Sequence, residues 1–175
     1  MKKLLFSTTI AFLCFCISCN NEKKGGLSVQ AQKNLDAQHG VSKCFDTKDF
    51  SKLGDYIAED AVDHAGETGD VKGLANMKTE FEQMTAGIDN AKSEVIKELA
   101  DDDYVMSWMH FTGTLKTDMM GMKAGDKYNM KAIEVAKFKD GKAVEHWTFM
   151  EPAEMMKMSG SPQTTMPMKD TTMKK

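Results

Sequence analysis

The residues best suited to chemistry cluster around DGKAVEHWTFME, residues 140–151, and the strand-like run that precedes it. Asp140-Gly141 between two apolar-rich runs is a strong hairpin signal. With those two residues as the turn, Ala136 faces Glu145, Glu134 faces Trp147, Ala132 faces Phe149 and Met130 faces Glu151. One face of the hairpin then carries Glu134, Glu145, Trp147, Phe149 and Glu151, and the other carries Ile133, Val135, Val144, His146 and Met150. A carboxylate walled by aromatic side chains is useful for acid/base work, because desolvation favours its protonated form and brings its proton affinity toward the working pH. Met106 and Trp108 line the adjacent strand, and His110 shares their parity. His64 is a further proton carrier that could polarise a carbonyl. Three carboxylates in one dry cavity would repel, so at least one of Glu134, Glu145 and Glu151 must reach the rim or pair with a lysine. The plainer alternative for Glu151 is a surface cap on the last strand. His146 falls on the opposite face, at the surface or in a dimer interface, while His39 reads as an exposed helix residue and Cys44 as a small buried apolar one.

The elements that must position these groups follow from periodicity. Apolar and small residues from Ser28 to about Phe45 recur at helical spacing, with a break or bend near Gly40. Asp46-Thr47 reads as the opening of a second short helix carrying Phe50, Leu53, Tyr56 and Ile57. A glycine- and acid-rich loop occupies 63–73. Leu74, Met77, Phe81 and Met84 form the core-facing stripe of a helix from Leu74 to Thr85. After Gly87 the period becomes that of strands: Ser93–Leu99, Tyr104–Leu115, Lys127–Phe138, and the strand after Asp140-Gly141. Helices first and an antiparallel sheet after them make an α+β fold.

The ends of the chain are of a different character. Residues 1–18 carry Lys2-Lys3, an apolar stretch from Leu4 to Ile17 and Ser18, the pattern of an export signal and too short for a membrane span. CISC at 16–19 resembles the lipobox of bacterial lipoproteins, with Cys19 as the lipidated residue, although Cys16 stands where leucine is usual. Residues 19–27 would be a lipidated tether, and the protein would sit on the membrane through that anchor, in the cell envelope. Residues 159–175, rich in Thr, Met and Lys, have no periodicity and read as a disordered tail. Between the ends lies the length of one domain, 28–158. All 23 basic residues are lysines; without Lys2 and Lys3, 21 remain against 26 acids, a net charge of −5. An acidic protein without arginine is a poor match for nucleic acid or for gripping phosphate.

Three strings fall in an order shared by one family: EDAVDH (Glu59–His64), the strand ending in Gly113-Thr114, and DGKAVEHWTFME. Over about residues 28–160 the chain resembles the SnoaL-like polyketide cyclases and ester cyclases of the nuclear transport factor 2-like superfamily. The resemblance implies a cone-shaped α+β barrel, helices packed on a curved antiparallel sheet, a deep apolar pocket between them, and dimerisation through the sheet. It also implies ring closure by aldol chemistry without metal or cofactor. The acidic position falls on Glu151, a glutamate where the cyclases have aspartate, and His64 lies where relatives often have a histidine near the pocket mouth. The expectation is therefore an anchored homodimer that binds a small hydrophobic, carbonyl-bearing ligand. Glu151, His64 and His110 are the catalytic candidates, and Trp108, Trp147, Phe149, Met106 and Glu134 line the pocket. Two alternatives differ in class. The domain could be a non-catalytic module for a ligand or a protein partner. Or the 16 methionines, including Met120-Gly-Met122, could hold Cu(I) or Ag(I) in the loop and tail, against which Met77, Met84 and Met106 sit where core residues are needed.

Overall fold

The structure, a computed structural model, describes residues 26–158 apart from Glu67 and Met120. The expectations for residues 1–25 and 159–175, including the export signal, Cys19 and the tail, lie outside the described residues.

The chain opens with helix α1, Val29–Thr47, whose first turn is capped by the Ser28 hydroxyl accepting from the Ala31 N–H. α1 runs unbroken through Gly40. The glycine serves packing instead of bending, because a Cβ there would lie 2.4 Å from the Tyr56 ring. Asp46 and Thr47 finish α1 rather than opening the next helix, and Lys48, in the left-handed conformation at φ 53°, ends it. A single turn, α2 (Leu53–Tyr56), leads into strand β1, Ile57–Asp63. That strand and the two-residue β2, Val71–Lys72, replace part of the expected helix and loop. Helix α3, Leu74–Ala86, buries Met77 as its stripe predicts. Then come β3 (Ile88–Ala100), β4 (Tyr104–Leu115), β5 (Lys127–Lys139), β6 (Lys142–Met150) and the short α4 (Pro152–Met158).

The six strands form one curved sheet in the order β2-β1-β6-β5-β4-β3. It is mixed and not purely antiparallel, because β1 runs parallel to β6. The fold is α+β, with α1, α2 and α3 on the inner face. There Val105, Ala136, Phe138 and Ala143 of the sheet meet Ala37, Cys44, Phe50, Leu53, Ile57 and Met77 in the main core. Asn34, fully buried on α1, ties that helix to the sheet by donating to the carbonyls of Asp101 and Asp102 in the β3–β4 turn. A second cluster, Ile88, Leu115 and Tyr128, closes the far end.

Asp140 (φ 54°) and Gly141 (φ 82°) form the expected turn, and Phe138 faces Ala143. One step further the register departs from the ideal hairpin: Lys137 faces Glu145, so Val144 is an extra residue, a β-bulge. From there every pairing is displaced by one residue on β6. Ala136 faces His146, Val135 faces Trp147, Glu134 faces Thr148 and Ile133 faces Phe149. Because side chains alternate, this reverses the predicted faces. Glu134, His146, Thr148 and Met150 share the inner face with buried Ala132 and Ala136; Trp147 and Phe149 share the outer face with Ile133 and Val135.

Candidate functional site

The inner face of β4, β5 and β6 carries a polar row where a uniformly apolar core would be the default. Its centre is His146. The Nδ1–H donates to Asp63 Oδ1 on β1 at 3.0 Å, and Nε2–H donates to Glu134 Oε2 on β5 at 2.7 Å. Thr148 Oγ1 donates to the same Glu134 oxygen at 2.8 Å. Asp63 Oδ1 also accepts from the Ala65 N–H, which fixes the turn that follows β1. On the neighbouring strands Ser107, buried between Glu98 and Glu134 in register, donates to Glu98 Oε1 at 2.9 Å. His39 of α1 reaches Glu98 Oε2 at 2.7 Å.

Burial alone would lower the affinity of His146 for its proton; the hydrogen bonds and charges of Asp63 and Glu134 reverse this and raise its pKa to about 10. Burial pushes the Asp63 carboxyl upward, but His146, together with the Ala65 N–H, holds it below the usual range. At neutral pH the trio is thus an imidazolium between two carboxylates. Both N–H groups of His146 are committed, so its role is a fixed positive charge that orients Glu134. Glu134 Oε2 is saturated by two donors, while Oε1 accepts no hydrogen bond from the described residues and the side chain keeps 15% of its surface accessible. His146 keeps 27%. Oε1 is thus the free acceptor of a carboxylate whose orientation is fixed by His146 and Thr148, a geometry suited to accept a proton.

The other predicted site residues lie elsewhere. Met106, Trp108 and Phe149 are exposed on the outer face, Phe149 by 56% and Trp108 by 42%. Trp147, also outer, stacks on His64 with ring centroids 5.0 Å apart. His64 donates to Asp70 at 3.0 Å and stands 3.5 Å from Glu145, with Asp70 the main cause of its raised pKa. His110 meets Asn129 and Glu94 on the outer face. Glu151 is exposed: Pro152 ends the strand, and the Glu151 carbonyl accepts from the Glu154 and Met155 N–H groups at the start of α4. Glu134 alone of the expected set points inward. Two depressions, of about 510 and 420 Å³, flank the Val144 bulge and the start of α1, and neither is lined by Glu134, His146, Trp147 or Glu151.

Sequence reasoning missed His146, Asp63 and Thr148. A usable signal was the alternation itself, since His146 and Thr148 interleave with Trp147 and Phe149.

The sequence model of the SnoaL-like polyketide cyclases matches residues 35–158, most of the chain. The chain belongs to that family. Its fold is shared by solved structures of low identity. TsrD from Streptomyces laurentii superposes with a TM-score of 0.65 at 14% identity, over 78% of this chain and 99% of that one. A SnoaL-like polyketide cyclase from Agrobacterium tumefaciens gives 0.63 at 15%, over 71% and 95%. An LEH-like epoxide hydrolase from M. tuberculosis gives 0.61 at 12%, over 74% and 90%. No curated protein matches the chain. In this SnoaL-like domain the inner face of the curved sheet carries the Asp63–His146–Glu134 trio.

Proposed function

We propose that this SnoaL-like domain binds a small, largely apolar, carbonyl-bearing molecule against the inner face of its sheet, and that Glu134 acts there as the acid/base. The observation that carries this reading is the open Oε1 of Glu134, whose other oxygen is held by His146 and Thr148. In the reaction Oε1 takes a proton from the carbon next to the carbonyl and returns it elsewhere. His146 and Thr148 hold the orientation of the carboxylate through the reaction. Ala132 and Met109, paired in register on the same inner face, make the sheet beside it apolar.

The outer face supports the expected homodimer. Leu99, Met106, Val135 and Trp147 follow one another across the strands, and Trp108, Ile133 and Phe149 form the next row. Several of these side chains are exposed, and contiguous apolar surface of this kind is the mark of an interface. Lipidation at Cys19 would hold such a dimer at the membrane of the cell envelope.

Hydrogen–deuterium exchange next to the carbonyl of a small cyclic ketone in D2O, followed by NMR, tests the chemistry. The wild type should exchange the ketone above buffer, Glu134→Gln should slow it by about 10²–10⁴-fold, and Glu151→Gln should leave it within about twofold. Exchange unaffected by Glu134→Gln refutes the assignment; ketone-induced shifts of inner-face amides without exchange favour the non-catalytic binding module. Incorporation of labelled palmitate, lost in Cys19→Ser, tests the anchor.

A further inference from the structure

Four methionines from three parts of the chain pack on one small apolar cluster at the far end of the barrel. Met84 comes from the last turn of α3, Met130 from β5, and Met119 and Met122 from the β4–β5 connection; all four are half-buried and pack on the cluster of Ile88, Leu115 and Tyr128. The connection is shaped so as to pair two of them. Met119 and Met122 form an isolated antiparallel bridge, each donating its N–H to the other's carbonyl at 3.2 and 2.9 Å. Residues directly opposite in such a bridge put their side chains on one side. The Met119 sulfur also lies against the end of α3, where a Cβ on Gly87 would be 3.2 Å from it, and the Gly87 N–H bonds the Met84 carbonyl.

We propose that Met84, Met119, Met122 and Met130 form a site for a soft monovalent cation, Cu(I) or Ag(I). Thioethers are neutral, polarisable donors that favour such ions over hard divalent ones. Among the described residues no group of His, Cys, Asp and Glu is arranged to hold a metal, so this sulfur set is chemically distinct. Packing alone does not require methionine at these places. Leucine fills a comparable volume, and all four positions are only half-buried. The site lies on a cluster that does not include Glu134, so it stands or falls independently of the acid/base reading.

The test is titration of the full chain, labelled at the methionine methyl carbons, with Ag(I). The methyl signals of Met84, Met119, Met122 and Met130 should shift together in the first equivalent, while buried Met77 and Met109 stay in place. Met119→Leu/Met122→Leu, confined to the connection, should weaken that first equivalent at least tenfold with an unchanged thermal midpoint. The fourfold leucine variant should abolish it. Removing residues 159–175 should leave it intact. Equal titration of the leucine variants and the wild type, first-equivalent shifts confined to methionines outside the cluster, or loss of the tight phase with the tail would each overturn the proposal.

Discussion

His146 Nε2 donates to Glu134 Oε2 at 2.7 Å, and the same ring holds Asp63 through Nδ1 at 3.0 Å. The consequence for stability has a definite sign. His146 binds its proton more tightly in the folded protein, at a pKa of about 10, than in the unfolded chain, near 6.5. Its contribution is therefore complete below about pH 6.5 and is lost as the pH rises toward 10. Asp63, whose proton affinity is lowered by folding, acts oppositely: its contribution is present above the ordinary carboxylate range and is lost in acid. Urea midpoints measured against pH should fall across the alkaline window by an amount worth up to several kcal/mol. In His146→Gln that alkaline fall should disappear.

The contact between Gly40 and Tyr56 makes a second case. Alanine in a helix interior is favoured over glycine by about 1 kcal/mol, yet here its methyl would lie 2.4 Å from the Tyr56 ring. Gly40→Ala should therefore destabilise the protein by about 1–3 kcal/mol. In a Tyr56→Ala background the same change should become stabilising by about 1 kcal/mol. Denaturant unfolding of the four members of this double-mutant cycle checks both signs.

Trp108 stands near the middle of the outer apolar rows, flanked by Ile133 across the β4–β5 pair and with the Lys131 ammonium 5.8 Å from its ring centroid. Trp108→Lys places a charge there. Sedimentation velocity should show a dimer for the wild type and a monomer for the variant, with at least a tenfold weaker self-association. The thermal midpoint of the variant monomer should stay within a few degrees, because Trp108 adds little to the inner core.

Much of this architecture could be read from the residues, and the exceptions have physical reasons. The stripe of α3, the long strands and the Asp140-Gly141 turn are local, so local signals found them. β1 escaped because its partner in parallel pairing, β6, is more than 80 residues away. The candidate site was misplaced by one residue, Val144. A bulge formed by one apolar residue, Val144, directly after another, Ala143, leaves no mark on the hydrophobic pattern, yet it exchanges the faces of everything after it. The rule that aromatic residues face inward then favoured the wrong side, since β6 turns Trp147 and Phe149 outward and His146 and Thr148 inward. Glu134 survived the exchange because it precedes the turn, and its inner position is set by β4, where Ser107 lies opposite.

The most direct measurement of this account is the ionisation of His146, followed through its ring nitrogens by ¹⁵N NMR from pH 5 to 11 in the wild type and in Glu134→Gln. Both nitrogens of the wild type should remain protonated at pH 7.5, with titration only near pH 10, and Glu134→Gln should move that titration toward neutrality. A wild-type ring that titrates near 6.5, or one indifferent to Glu134→Gln, would contradict the charged trio on which the inner-face site depends.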